Sequence, residues 1–140
     1  MQLSEELARF FTLLWRITND QQRGATLTRP EYLVLGRLHR DGAMRAGDLA
    51  QSEGLDPSTL SRRVAALAGR ELVVRRTDRD DRRAQQLEIT PAGREAFLVE
   101  QRRRIALVTD ALDHWPEPDR VRLAELLHEL NDSLHRKAAS

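Results

Sequence analysis

The chain has 140 residues, 40% of them hydrophobic but only six aromatic, with no cysteine and a formal net charge of +1. Such a length fits one domain or two small interleaved units, with a core of Leu, Val, Ile and Ala, and the lack of cysteine excludes disulfides, thiolate metal sites and thiol redox sensing. No apolar run approaches the roughly 18–20 residues that a membrane span needs, and the acidic start has no signal-peptide pattern, so a soluble cytoplasmic protein is expected.

The small net charge hides an uneven distribution. Residues 56–94 carry nine Arg against six acids, a net +3, whereas residues 1–55 balance at zero and residues 95–140 sum to −2. A basic middle segment in a near-neutral protein points either to a polyanion-binding face or to a solvated surface.

The spacing predicts a first helix over residues 4–22, capped by Ser4, with Glu5 and Glu6 where the helix dipole favours anions. Its apolar residues Leu3, Leu7, Phe10, Leu14 and Ile17 advance in steps of four and three, a heptad seam. Thr28-Arg29-Pro30-Glu31 is a capping box that opens a second helix, expected to end near Asp41-Gly42. A short third helix is expected over 46–53, stopped by Gly54. Asp56 as cap and Pro57 at the first helical position then start a fourth helix, running to about residue 70.

Residues 72–76 read as a strand, residues 77–83 as a charged turn and residues 87–90 as the return strand. From Thr90-Pro91 a long helix is expected to reach about Trp115, roughly 36 Å at 1.5 Å per residue. Pro116-Glu117-Pro118 breaks the chain, and a last helix follows with Leu123, Leu127, Leu130 and Leu134 at steps of four, three and four. The expected fold class is mainly α with a small β-hairpin wing: a winged helix-turn-helix core over 27–91, flanked by helical dimerisation regions at 1–22 and 92–140. The terminal seams, Leu7, Phe10 and Leu14 at one end and Leu127, Leu130 and Leu134 at the other, exceed what so small a core can cover. Either they pack on one another within the chain or a second copy covers them; the homodimer is the simpler solution.

Function concentrates in the fourth helix. At 100° per residue, Leu60, Val64 and Leu67 form its buried face, and Ser58, Ser61, Arg62, Ala65, Ala66 and Gly69 lie opposite, with Thr59 at the flank. Taken alone, that outer face is either an ordinary Ala-rich surface or a surface cut to enter a DNA major groove. Small residues let the helix sink in, hydroxyls near its N-terminus meet phosphates, and Arg62 can take guanine O6 and N7 bidentately. The context favours DNA, because residues 46–53, the Gly54 turn and residues 57–70 make a helix-turn-helix followed at once by a hairpin. The hairpin tip, Asp78-Arg79-Asp80-Asp81-Arg82-Arg83, places Arg79, Arg82 and Arg83 to reach an adjacent minor groove, with Asp78 and Asp81 bracing them.

These stretches resemble the MarR family of bacterial transcriptional regulators. The likeness rests on Leu27 to Tyr32, Asp48-Leu49-Ala50, Asp56 to Arg62, Leu72 to Arg76, and the tip through Thr90-Pro91-Ala92-Gly93. It implies a homodimer on a pseudo-palindromic double-stranded DNA operator. It also implies repression relieved by a small aromatic effector. On that likeness Ser58, Thr59, Ser61 and Arg62 take the recognition-helix role and Arg82 and Arg83 the wing role; Arg63 is a further candidate DNA contact. One departure stands out: Glu71 occupies the place where the family usually has a left-handed Gly. Either Glu71 adopts that conformation at a cost on the order of 1 kcal/mol, or the helix ends differently near Gly69. Trp15, beside the first seam, either lines an effector pocket or fills the dimer core.

No metal and no cofactor is expected. The four histidines, His39, His114, His128 and His135, form no metal-binding pattern, and no phosphate loop or nucleophile-base set is present, which argues against an enzyme. The remaining alternative is a helical protein-interaction module, which explains the seams but not the Arg-bearing hairpin.

Overall fold

The structure, a computed structural model, describes residues 2–20, 25–77 and 79–140. Helix α1 spans Leu3–Asp20, α2 Arg29–Asp41, α3 Ala46–Glu53 and α4 Pro57–Gly69; α5 spans Pro91–Thr109 and α6 Glu117–Ala138. Strands β1 (Met44–Arg45), β2 (Val73–Thr77) and β3 (Gln85–Ile89) form an antiparallel sheet in the order β1-β3-β2. Two compact units result, residues 1–104 and 105–140.

The cap signals act as their chemistry dictates. The Thr28 hydroxyl accepts the Glu31 amide at 3.3 Å while Glu31 Oε1 accepts the Thr28 amide at 3.0 Å. That reciprocal pairing satisfies two donors that a helix start leaves over. Gly54 ends α3 in the left-handed conformation, φ 65°. The core is the meeting point of α2, α3, α4, the sheet and the first half of α5: Val34, Leu35, Leu38, Leu49, Leu60, Val64, Leu67, Leu87 and Phe97 are all buried.

Three sequence expectations need correction. Ser4 is no cap: the Glu5 and Glu6 amides donate to the Gln2 carbonyl, so Gln2 stands at the cap position and Ser4 lies within the first turn. The long helix stops at Thr109, short of Trp115. Its apolar spacing runs on through Leu112, but the backbone tightens into a 3-10 turn over Asp110–Leu112, with the Asp113 amide on the Asp110 carbonyl. The sheet also has a third strand, β1, pairing Met44 with Leu87 and Arg45 with Gln86.

Inside α5, Glu100 is buried beneath two arginines, at 2.8 Å from Arg103 and 3.0 Å from Arg104. Arg104 in turn sits over the Tyr32 ring, 4.4 Å from its centroid, and Tyr32 stacks on Phe97. Burial pushes the Glu100 carboxyl up, but the hydrogen bonds and charge of Arg103, then of Arg104, outweigh it and hold the group below the ordinary carboxylate range. Because the folded-state value is depressed, its contribution is present above the unfolded value and lost as pH falls through the folded one. Glu100→Gln is therefore expected to lower stability by about 1–3 kcal/mol at neutral pH. The deficit should shrink in unfolding measurements taken down toward pH 3; a deficit constant with pH would show that the charge is not what matters.

Candidate nucleic-acid interface

Helix α4 is presented by the turn before it and locked by the turn after it. Asp56 caps its start, accepting the Thr59 amide at 2.9 Å, the Ser58 hydroxyl at 2.6 Å and the Thr59 hydroxyl at 2.7 Å. The Ser58 bond first, then those from Thr59, hold the Asp56 carboxyl well below the usual carboxylate range. Both hydroxyls thus donate inward. The Asp56 carboxylate offsets the positive end of the helix, so an anion can take these hydroxyls only by displacing Asp56.

The two faces divide as the spacing predicts: Leu60, Val64 and Leu67 are buried, whereas Ser58, Ser61, Arg62, Ala65, Ala66 and Gly69 are exposed and Thr59 and Arg63 are half-buried. Arg62 stands on the exposed side among side chains no larger than a hydroxymethyl group. Between α4, the start of α3 and the sheet runs a cleft of about 270 Å³, lined by Gly47, Pro57, Leu60, Ser61, Arg75 and Leu87 among others.

At the far end of α4, the Leu72 amide reaches the Leu67 carbonyl at 3.0 Å and the Glu71 amide the Ala68 carbonyl at 3.0 Å. This paired closure places the residue after the cap in the left-handed region, and Glu71 adopts φ 59°. Of the two outcomes the sequence left open, the first holds: the helix keeps the closure and a non-glycine residue bears the strain. Glu71→Gly is expected to raise stability by about 1 kcal/mol, read as a later midpoint in urea unfolding with an unchanged slope; an earlier midpoint would mean that the Glu side chain supplies more than the strain removes. Arg70, at the cap itself, donates to Glu31 Oε2 at 3.2 Å and to the Thr26 carbonyl at 2.9 Å, tying the end of α4 to the start of α2. No local pattern signals that link.

The wing pairs β2 with β3 from Val73–Ile89 to Thr77–Gln85. Arg79, Arg82 and Arg83 are exposed at its tip. Asp81 braces the backbone: its carboxylate accepts the Arg83 amide at 3.0 Å and its carbonyl the Ala84 amide at 3.0 Å. Asp78 lies outside the described residues. Along the strands, Arg76 pairs with Glu88 at 2.7 Å.

The terminal seams are uncovered in the single chain. Leu7, Phe10, Leu127, Leu130 and Leu134 are exposed and Leu14 is half-buried. Trp15 also stands exposed, at 58%. Among the described residues, no three His, Asp or Glu side chains converge as metal ligands, and no helix is long and apolar enough to cross a membrane.

Residues 27–84, the segment from the capping box through the wing tip, match the sequence profile of the MarR family. The chain is 33% identical over 126 residues to YxaD, an HTH-type transcriptional regulator of Bacillus subtilis (strain 168), covering 90% of this chain and 88% of that one. The chain belongs to the MarR family. In fold it is similar to the transcriptional regulator Tm0710 of Thermotoga maritima, with a TM-score of 0.78, 22% identity and coverage of 98% and 96% of the two chains. It is also similar to BpsR of Bordetella bronchiseptica, whose DNA binding is regulated by 6-hydroxynicotinic acid, with a TM-score of 0.62, 23% identity and 94% of each chain covered. This MarR-family chain is a DNA-binding transcriptional regulator and not an enzyme. A helical module without DNA binding is thereby set aside.

Proposed function

We propose that the chain is a homodimeric repressor that reads an inverted-repeat operator in the cytoplasm and leaves it when a small aromatic ligand binds. The observation that carries the reading is the exposed face of α4, where Arg62 stands alone among small residues. A helix of that relief sinks into a major groove with one long donor aimed at a base edge. Ser61 lies beside Arg62, Ser58 and Thr59 sit at the phosphate end, Arg63 flanks the helix, and Arg79, Arg82 and Arg83 reach the neighbouring minor groove and its phosphates. The uncovered seams of α1 and α6 support the dimer, since apolar stripes of this length are rarely left in water. The small-molecule arm rests on the Bordetella relative, whose DNA binding responds to an aromatic acid.

Sedimentation at low micromolar concentration should give about twice the 16.1 kDa chain mass. Footprinting on DNA selected from a random pool should then give two half-sites about 10 base pairs apart, centre to centre. A folded monomer, or a footprint without two-fold symmetry, counts against the proposal. For the effector, hydroxylated aromatic acids titrated against the free protein should change the fluorescence of Trp15 or Trp115 and release the operator; binding that leaves DNA affinity untouched removes the ligand from the proposal.

A further inference from the structure

The junction between the recognition helix and the wing is held by a residue outside both. The Thr90 hydroxyl donates to the carbonyl of Glu71 at 2.7 Å and accepts the amide of Gly93 at 3.0 Å. The Thr90 amide donates to the Leu72 carbonyl at 3.1 Å. Thr90 thus grips the last two peptide groups of the link from α4 to β2, those of the Glu71 and Leu72 carbonyls, while capping the first turn of α5 just after β3 ends. Glu71 is also the only non-glycine residue at positive φ among those described. A strained residue persists where its surroundings over-determine it, and here the grip falls on that residue's own carbonyl.

We propose that Thr90 is a positioning residue for DNA binding: its hydroxyl fixes the angle between α4 and the wing, so that both engage one stretch of duplex together. This rests on the reading that the wing arginines contact DNA. The hydroxyl is the only part of the side chain the proposal needs, so Thr90→Val, which keeps the shape and the backbone bond to Leu72, removes the hold on the Glu71 carbonyl, and Thr90→Ser restores it.

The test has two arms. The chain has no cysteine, so spin labels at Ala66→Cys on α4 and Thr77→Cys at the end of β2 can be placed without other changes. Labelled protein is diluted into excess unlabelled chain, and the distance distribution is read by pulsed electron resonance. Thr90→Val should broaden that distribution and Thr90→Ser should leave it narrow. In the second arm, operator affinity should fall about threefold to tenfold in Thr90→Val, the worth of one neutral hydrogen bond. In a chain that also carries Arg82→Ala and Arg83→Ala, the further loss should be under about twofold, because a wing that no longer holds DNA gains nothing from being aimed. A distribution unchanged by Thr90→Val overturns the proposal whatever the DNA does. An undiminished loss in the wing-substituted background, or a Thr90→Ser protein as impaired as Thr90→Val, overturns it as well. If the wing substitutions alone leave affinity unchanged while the label distances still broaden, the reading of the wing fails, and Thr90's role in binding with it; the latch between α4 and β2 would then be purely structural.

Discussion

Arg62→Ala is expected to weaken operator binding by about 1–3 kcal/mol and to relax base preference at one position per half-site, while leaving affinity for scrambled DNA nearly unchanged. A bidentate bond to a base edge is lost only where the right base is present. The paired change Arg82→Ala and Arg83→Ala should behave differently. It should weaken operator and scrambled DNA alike, and flatten the slope of log affinity against log salt, since fewer counterions are released. Titrations of both variants on both DNAs at several salt concentrations separate these outcomes. If Arg62→Ala weakens both DNAs equally and the wing variant alone loses discrimination, the two roles are reversed. If neither matters, the exposed face of α4 is not the DNA-binding surface.

The second large effect concerns stability. A side chain at Gly93 would drive its Cβ into the carbonyl oxygen of Leu72, with Ile89 Cγ1 and the Leu72 carbonyl carbon both at 2.9 Å. The obstruction is backbone, which cannot swing aside, and moving it would also break the bond from the Thr90 amide. Gly93→Ala should therefore cost about 3 kcal/mol, a fall of roughly 6–12 °C in the melting temperature. Gly47 supplies the contrast, because nothing lies within 4 Å of the Cβ it would gain. Gly47→Ala in α3 should be neutral or stabilising by up to about 1 kcal/mol. Equal melting temperatures for the two variants would show that the backbone around Gly93 yields more readily than its packing indicates.

What was legible in the sequence was local chemistry. The capping box at Thr28 and Glu31, the Asp56-Pro57 start and the Gly54 stop each need only neighbouring residues, and each forms as written. The buried face of α4 follows from spacing alone. What was hidden depended on distant parts of the chain. Met44-Arg45 is too short to alternate, and it is a strand only because Leu87 and Gln86 arrive beside it. No local pattern sets Glu100 apart within its Arg-rich run, and only the packed fold shows it buried under Arg103 and Arg104. The end of α5 escaped for the opposite reason: Leu112 and Trp115 keep the apolar spacing through a change of backbone geometry that spacing does not report. Ser58 and Thr59 were legible as hydroxyls at a helix start, but not as donors already given to Asp56.

The strand order β1-β3-β2 bears on solubility. One border of the sheet is a strand of two residues, too short to template another chain, and the other is β2. An open border of five residues invites pairing between molecules, and charged side chains along it are the usual deterrent. Here Arg75 and Arg76 supply that deterrent, and both are exposed. Positive charge along this border thus opposes strand pairing between molecules, independently of any contact with DNA. Substituting apolar residues at Arg75 and Arg76 would open a path to self-association, even in a protein whose helices and core were untouched.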